Sequence, residues 1–413
     1  MNEIKKRVVA IIGQGYVGLP LAMAAVESGW RVIGIDSLES KVAQINSGSS
    51  PVEDITSDTL KKALDSGKYL ATSDFSEVKG ANIVTICVPT PLGKERNPDL
   101  SLLESAIQSI SPHISENSLV VSESTSFPGT LRNIIIPRIL AHIPNVSKKI
   151  YFASAPERVN PGDLKWNQKN TPRLVGGIDE ESQSIALDFY RSICDEVVAV
   201  SSPEVAEAAK LLENTFRLVN IALINEFAQV CASAGLNIHD IINAAETKPY
   251  GFMPFRPGVG VGGHCIPVDP LYLTWWARKN GAKATFVENA DLINQAMPIY
   301  VARRALALVS TEVQAPKILI LGVSYKSGVG DVRETPMSKL REHLISLGAE
   351  VIWHDPLVSD WEGTTSVPID SNCDVAVLAT AQPGMELNRI LAKKIKILDC
   401  TNTLQPNSHT HLL

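Results

Sequence analysis

The stretch that most constrains the fold lies near the start of the chain, where an apolar run meets a glycine-rich turn. Val8 to Ile12 is continuous and rich in β-branched residues, as expected for a parallel strand buried on both faces. Gly13-Gln14-Gly15-Tyr16-Val17-Gly18 follows at once, then a helical pattern, then a second strand pattern that ends at an acid, Asp36. Strand, G-x-G-x-x-G, helix, strand and acid in this order predict a dinucleotide-binding βαβ unit.

The same unit predicts a cofactor. Its glycines allow the backbone to approach a pyrophosphate that rests on the N-terminus of the helix. Asp36 is expected to accept hydrogen bonds from ribose hydroxyls and to repel a 2′-phosphate, which favours NAD over NADP. A glycine-rich turn in some other βαβ unit is the weaker alternative.

Polar residues follow the later strand patterns of the N-terminal half. One apolar run leads to Pro89 and Thr90, the next ends in Thr125, and a third leads to Glu157. Ligands of open α/β sheets bind at the carboxyl ends of the strands, so these residues are candidate contacts. Thr125 could equally cap the helix that follows it, and Glu157 could form a surface ion pair.

The middle of the chain is predicted to be helical. From Glu204 to Gly235 the pattern contains no internal proline or glycine. This uninterrupted segment is longer than a typical globular helix. Such a helix can join two domains and carry a dimer interface. Lys210 and Asn214 lie one turn apart on one of its faces, although a solvated lysine would be the ordinary interpretation of Lys210.

The α/β pattern resumes at Lys317, and its turn carries Lys326 and Arg333, which could hold phosphates. The chain is therefore expected to be an α/β protein with two Rossmann-like parallel-sheet domains, joined by the long helix and a helical middle domain. The expected boundaries are 1–202 for an NAD-binding domain, 203–312 for the central domain and 313–413 for the second Rossmann-like domain.

A second glycine-rich stretch, from Gly258 to Pro270, is the strongest candidate for chemistry. All four of its glycines precede Cys265, and Asp269 follows that cysteine by four positions. Glycine lets backbone approach a ligand closely, and a thiol after such a loop could face a bound substrate. A tight loop with a buried, inert cysteine is the alternative.

Composition excludes several other classes of protein. The net charge is −6 with no basic stripe, so nucleic acid is not an expected partner. The six cysteines form no Cys-x-x-Cys pair, which argues against a metal site and fits a reducing compartment. The apolar run before Gly13 is too short to cross a membrane. A cytoplasmic protein without a membrane or metal partner is expected.

These segments together resemble the UDP-glucose/GDP-mannose dehydrogenase family over nearly the whole chain. The matching segments are Gly13 to Pro20, Val88-Pro89-Thr90-Pro91, Glu123-Ser124-Thr125, Ala155 to Val159, Lys210 to Thr215, Gly262 to Pro270, and Tyr325-Lys326 with Asp331 to Pro336.

The resemblance implies a four-electron oxidation of the C6 alcohol of a sugar nucleotide to a carboxylate. Because NAD takes two electrons at a time, two cofactors must bind in turn while the intermediate stays in place. Cys265 would attack the C6 aldehyde to give a thiohemiacetal, which a second hydride loss converts to a thioester that water hydrolyses. The product would serve surface polysaccharide biosynthesis.

The resemblance also implies roles for individual residues. Lys210 and Asn214 would stabilise the alkoxide and oxyanion, and Asp269, Glu157 and Thr125 would position or activate water. The implied cofactor-binding residues are Gly13, Gly15, Tyr16, Val17, Gly18, Asp36, Pro89, Thr90 and Thr125. The implied substrate-binding residues are Glu157, Arg158, Val159, Lys210, Asn214, Arg256, Gly258, Gly262, Lys326 and Arg333, with Arg256 reaching the phosphate of its own or a neighbouring subunit's substrate. A homodimer or larger homo-oligomer is implied.

His264 and Val268 resemble the branch of the family that acts on UDP-N-acetylhexosamines. The loop from Lys248 to Phe255 favours UDP-N-acetylglucosamine over UDP-N-acetylmannosamine as substrate, although Arg256 departs from that pattern. Two other classes compete with this interpretation. An ordinary two-electron hydroxyacid dehydrogenase would not need Cys265, and a silent nucleotide-sugar sensor would bind both ligands without producing NADH.

Overall fold

The chain folds as two units, Met1–Glu213 and Asn214–Leu413. The computed structural model describes residues 7–142, 149–159 and 165–413. Within those ranges, no helix combines the length and the apolar character needed to cross a lipid bilayer.

The described part of the first unit is built on an eight-stranded sheet with the strand order β3-β2-β1-β4-β5-β6-β7-β8. Its strands are β1 Val8–Ile12, β2 Arg31–Ile35, β3 Tyr69–Thr72, β4 Ile83–Ile86, β5 Leu119–Ser122, β6 Tyr151–Ser154, β7 Arg173–Gly177 and β8 Val197–Ala199. Strands β1 to β6 run parallel, whereas β7 is antiparallel to β6 and β8 is parallel to β7.

Helices cover this sheet. They are α1 Gly18–Glu27, α2 Glu39–Asn46, α3 Ser57–Asp65, α4 Ser101–Ile110, α5 Ile136–Ala141 and α6 Glu180–Arg191. Alternate residues of β1 enter two different cores: Ile11 packs in a cluster with Leu19 of α1, and Ala10 in a cluster with Leu103 of α4. Burial on both faces is why the strand is uniformly apolar.

Helix α7, Pro203–Ser233, has 31 residues, in agreement with the unbroken helical pattern. The remaining helices are α8 Ile238–Glu246, α9 Asp269–Lys279, α10 Thr285–Leu306, α11 Pro336–Ser346 and α12 Leu387–Leu391.

The second unit contains a parallel five-stranded sheet, ordered β10-β9-β13-β14-β15 among its described strands, and a short hairpin formed by β11 and β12. The strands are β9 Lys317–Leu321, β10 Glu350–His354, β11 Asp360–Trp361, β12 Thr364–Thr365, β13 Val375–Leu378, β14 Lys396–Asp399 and β15 Thr410–Leu412. Strand β15 lies in a tail whose sequence shows no recognisable pattern.

Candidate active site

The glycine-rich turn between β1 and α1 has the geometry of a dinucleotide-binding turn. Gly13 adopts a φ of 93°, which makes the tight turn possible. A β-carbon on Gly15 would have no neighbour within 4 Å, so the backbone there is open to close approach. A β-carbon on Gly18 would lie 1.8 Å from the carbonyl oxygen of Gly13, so only glycine allows α1 to start there. These three properties fit a bound pyrophosphate.

Asp36 directly follows β2, beside this turn. Its Oδ2 accepts hydrogen bonds from the backbone N–H of Gln14 at 2.9 Å and from Nζ of Lys41 at 2.7 Å, and its Oδ1 accepts one from the N–H of Leu38 at 3.0 Å. The carboxylate is thus held in place at the edge of the sheet where a ribose would bind. Within the turn, Tyr16 donates to Glu53 at 2.7 Å.

The loops after β4 and β5 are joined to each other. Thr90 Oγ1 donates to the carbonyl oxygen of Thr125 at 2.7 Å. The second of these loops is also held from α7, because the carboxylate of Glu207 accepts hydrogen bonds from the N–H groups of Gly129 and Leu131 at 2.6 and 3.0 Å. Nothing in the sequence pattern singled out Glu207.

Glu157 lies at the carboxyl edge of the first unit's sheet and is strongly anchored. Its Oε1 accepts from the backbone N–H groups of Arg158 and Val159, both at 2.6 Å, and its Oε2 from Arg173 Nη2 at 2.8 Å. Burial opposes ionisation, but Arg173, the Val159 N–H, Gln168 and Lys210 together hold the pKa of Glu157 below its ordinary value.

Lys210 is itself buried, on α7, so the ordinary interpretation of a solvated lysine is wrong. The side chain of Arg158 points elsewhere: its guanidinium forms two hydrogen bonds with Glu213, at 2.6 and 3.1 Å. Two further charged side chains lie beside Glu157, namely Arg173 and Glu123, and the sequence motifs gave neither of them a role.

In the second unit, Cys265 is exposed, and the alternative of a buried, inert cysteine is wrong. The chain turns immediately after it, because the N–H of Asp269 donates to the carbonyl oxygen of Cys265 at 2.8 Å. Asp269 is the first residue of α9, and its Oδ2 accepts a hydrogen bond from Asn214 Nδ2 at 2.5 Å. The structure therefore brings three predicted residues together: Cys265, Asp269 and Asn214.

The loop that leads to Cys265 is fixed at both ends. Asn225 of α7 accepts a hydrogen bond from the N–H of Gly258 at 3.0 Å. Near the thiol, the loop packs against Tyr325, because a β-carbon on Gly262 would lie 2.7 Å from Cβ of Tyr325 and one on Gly263 2.8 Å from its ring. The glycines therefore allow backbone to lie directly on an aromatic side chain.

Two of the three basic residues predicted to contact phosphate, Arg333 and Arg256, are engaged with acids. Arg333 makes a bidentate pair with Asp331 at 2.8 and 2.7 Å, and although burial opposes it, this pair lowers the pKa of Asp331. Arg256 is exposed and contacts Asn243 at 2.8 Å and Glu246 at 3.2 Å. Burial, and then the charge of Arg333, lower the pKa of His264, which favours its neutral form.

A dinucleotide-binding turn on a doubly wound sheet, together with a second parallel α/β sheet, is the architecture of a dinucleotide-binding protein with a second α/β domain. The chain belongs to the UDP-glucose/GDP-mannose dehydrogenase family. It matches the family's NAD binding domain over residues 7–194, its central domain over 204–296 and its UDP binding domain over 319–406. The family and cofactor expected from the sequence are confirmed.

Individual relatives are similar over most of their length. A UDP-N-acetyl-D-mannosamine dehydrogenase of Methanococcus vannielii is 35% identical, covering 98% of this chain and 95% of its own. A UDP-N-acetyl-D-glucosamine 6-dehydrogenase of Pseudomonas aeruginosa is 33% identical over 87% and 84%. The solved structure of a UDP-D-ManNAc dehydrogenase from Pyrococcus horikoshii superposes with a TM-score of 0.89 at 33% identity, covering 98% of both chains. This protein is a nucleotide-sugar dehydrogenase that uses NAD.

Proposed function

We propose that the protein oxidises the C6 hydroxyl of a UDP-N-acetylhexosamine to a carboxylate, with two NAD consumed per sugar. The observation that carries the proposal is the exposed thiol of Cys265, set in a glycine-rich loop one turn before the anchored carboxylate of Asp269. A two-electron dehydrogenase has no use for a thiol in that position, whereas a four-electron oxidation needs a covalent hold on the aldehyde.

The chemistry proceeds in three stages. The C6 alcohol first loses a proton and a hydride to give an aldehyde. Addition of the Cys265 sulfur to that carbonyl, with its proton passing to the C6 oxygen, gives a thiohemiacetal. The thiohemiacetal then loses a second hydride from C6 and the hydroxyl proton, which leaves a thioester. Water then adds to the carbonyl carbon, the C–S bond breaks, the sulfur takes up a proton, and the acid ionises. NAD, when bound, accepts the hydride at each oxidation.

The charged and polar residues would divide the remaining work. Lys210 and Asn214 would stabilise negative charge as it develops on the C6 oxygen, because preorganised donors act most strongly on charge that appears in the transition state. Glu157 and Asp269 would orient or activate water, with Thr125 in the same network. The anchoring of both carboxylates supports this role, since water must be held in one place to attack.

The two nucleotides would bind at different domains. Gly13, Gly15, Gly18 and Asp36 fit the pyrophosphate and ribose of NAD. Lys326 and Arg333 would contact the UDP moiety, and Arg333 would do so with its guanidinium already oriented by Asp331.

Two substrates that differ only in the configuration at C2 are each favoured by one observation. The loop from Lys248 to Phe255 favours UDP-N-acetylglucosamine. UDP-N-acetylmannosamine is favoured by the relatives that are named for it, which match almost the whole chain. The acetamido group is common to both.

The test is NADH release by the purified protein with UDP-GlcNAc, UDP-ManNAc, UDP-GalNAc, UDP-Glc and GDP-mannose, with each product weighed by mass spectrometry. We expect two NADH and one carboxylate per sugar on one of the first two substrates, and the preferred epimer decides between them. One NADH per sugar would remove the thioester role of Cys265, and no NADH on any of the five would support the sensor alternative.

Replacing the thiol gives a sharper result. Cys265→Ser should lower acid formation by at least about 10³-fold, because a serine hydroxyl is a far weaker nucleophile and leaving group at neutral pH. Cys373→Ser is the matched control, since burial raises the pKa of that half-buried thiol to about 11 and no role is assigned to it. Acid formation at the wild-type rate in Cys265→Ser would contradict the covalent mechanism.

A further inference from the structure

Behind Glu157 lies a group of buried charges that the proposed mechanism does not use. Arg173 and Glu123 are 2% and 1% exposed, and Glu157 is 8% exposed. Isolated charges are very costly to bury, so a cation placed between two carboxylates calls for an explanation.

Strand direction explains how the three residues meet. Glu123 and Glu157 follow the parallel strands β5 and β6, so both lie at the carboxyl edge of the sheet. Strand β7 runs antiparallel to β6, with Ala153 opposite Gly177 and Ser154 opposite Gly176. Continuing that register places Arg173, the first residue of β7, opposite Glu157. Only a reversed strand can begin at the edge where the parallel strands end.

Arg173 bridges the two carboxylates. Its Nη2 donates to Glu157 Oε2 at 2.8 Å and its Nη1 to Glu123 Oε2 at 3.1 Å. Gln168 forms hydrogen bonds with both Arg173 and Glu157: it accepts one from Arg173 Nη2 and donates one to Glu157 Oε2, each at 2.5 Å. On the far side, Tyr190 donates to Glu123 Oε1 at 2.5 Å, and the guanidinium lies over the Tyr190 ring at 5.4 Å.

The two carboxylates differ in their affinity for a proton. Burial raises the pKa of Glu123 to about 7, although Arg173 opposes the increase. The pKa of Glu157 is lowered instead, because its ionised form is stabilised by Arg173 and also by the Val159 N–H, Gln168 and Lys210. When the cluster takes up a proton it therefore binds to Glu123, and Glu157 remains ionised beside Lys210.

We propose that Arg173 is a positioning residue of the reaction, which holds Glu157 as an ionised carboxylate in one orientation for hydrolysis of the Cys265 thioester. The inference rests on the proposed function. In that step the attacking water becomes positively charged as its oxygen bonds to the carbonyl carbon, and the fixed negative charge of Glu157 stabilises it and receives its proton. Glu123 is the counter-charge that keeps the guanidinium in place.

The test compares Arg173→Met and Arg173→Lys with the wild type in quenched single turnovers, followed by intact-protein mass spectrometry. Arg173→Met removes the cation that the two buried carboxylates share and leaves only Lys210 beside Glu157, so Glu157 should take up a proton more readily. We expect the first hydride transfer to change by less than about 3-fold, while release of the acid slows by about 10²-fold, as for loss of a general base. The acyl adduct on Cys265 should therefore accumulate. Arg173→Lys keeps the positive charge but lacks the two guanidinium nitrogens that bridge the carboxylates, so it should slow acid release by a smaller factor.

Two variants separate positioning from structural support. Tyr190→Phe removes a buried hydrogen bond of the same cluster and should lower the melting temperature without adduct accumulation. Arg173→Met combined with Glu123→Gln leaves a single buried carboxylate, so it should fold even where Arg173→Met does not, and should still accumulate the adduct.

Three outcomes would overturn the inference. Acid release at the wild-type rate in the folded Arg173 variants would show that Glu157 does not need Arg173. An equal loss of hydride transfer and acid release, or adduct accumulation in Tyr190→Phe as well, would indicate a general structural role. In these cases the wild type still yields two NADH per sugar. If the wild type does not, the proposed function fails, and this inference fails with it.

Discussion

At the scale of single residues, Gly263 shows how a backbone position can control a distant side chain. Its φ of 83° disfavours any residue with a β-carbon, and that atom would also lie 2.8 Å from the ring of Tyr325. Cys265 is two residues further on. Because the loop rests on the ring, displacing the loop at Gly263 displaces the thiol.

We therefore expect Gly263→Ala to lower both stability and turnover. Backbone strain should cost about 1 kcal/mol and the clash with Tyr325 about 1–3 kcal/mol more. Gly281→Ala is the matched control, because Gly281 has a φ of 74° but no atom within 4 Å of the added carbon. It should lose about 1 kcal/mol and keep the wild-type kcat. Urea unfolding and steady-state kinetics measure both, and equal effects of the two substitutions would contradict a role for the contact with Tyr325.

Single residues also show what a motif can and cannot predict. The geometry of the turn at Gly13 and Gly18, with Asp36 beside it, was predictable because it depends on residues close in sequence, within one βαβ unit. Arg173 is 50 positions from Glu123 and belongs to none of the sequence motifs described above. Its pairing depends on the direction of β7, which periodicity does not encode, since parallel and antiparallel strands have the same two-residue repeat.

At the scale of elements, Glu207 connects helix α7 to the loop that follows β5. Glu207 is 2% exposed, and it accepts hydrogen bonds from the N–H groups of Gly129 and Leu131. Leu131 begins a turn of π-helix, Leu131–Ile135, which leads directly into α5. Lys210 lies one helical turn further along α7, and the bonded loop begins at Thr125. The carboxylate therefore fixes two candidate catalytic elements relative to each other.

This contact predicts a dependence of stability on pH. Burial raises the pKa of Glu207 from 4.5 to about 7, against the effect of its two N–H partners. Between those values the folded state keeps a proton that the unfolded state has released, so Glu207 makes folding less favourable as the pH rises from about 4.5 to 7. Relative to wild type, Glu207→Gln should gain roughly 3 kcal/mol of unfolding free energy between pH 4.5 and 8.

A neighbouring acid, Glu204, provides the control, because its pKa is shifted in the opposite direction. The hydrogen bond with Arg132 lowers the pKa of the partly exposed Glu204, so its contribution is lost as the pH falls below the ordinary range of a glutamate. Glu204→Gln should therefore give a stability curve parallel to that of wild type between pH 5 and 8. Urea unfolding across that range measures both variants, and parallel curves for wild type and Glu207→Gln would contradict the prediction.

The elements themselves were predicted unevenly. Strands β1 and β2 and helix α7 were predicted closely, because long or uniformly apolar segments give a clear pattern. Strand β15 was missed, since Thr410–Leu412 is only three residues long and is stabilised by pairing with β14 rather than by its own sequence.

At the scale of the whole molecule, helix α7 carries a surface that a second copy would cover. Leu212, Phe216, Leu223, Phe227 and Val230 recur at spacings of three, four and seven, on one face of the helix. They are exposed by 66%, 47%, 57%, 41% and 54%. Soluble monomers rarely expose an apolar stripe of this length, and equivalent stripes on two copies can pack against each other around a twofold axis. We therefore infer a homodimer in which α7 contributes to the interface.

Leu223→Glu tests this surface, because it places a charge in the middle of the stripe. We expect wild type to sediment as a dimer or larger oligomer at micromolar concentration, and Leu223→Glu to shift toward the monomer, since burying an unpaired carboxylate at an apolar interface is strongly unfavourable. Leu140→Glu is the control: Leu140 is exposed to a similar extent, 46%, but lies on α5. A wild type that sediments as a monomer would contradict the homodimer, and an unchanged oligomer in Leu223→Glu would exclude this stripe as its interface.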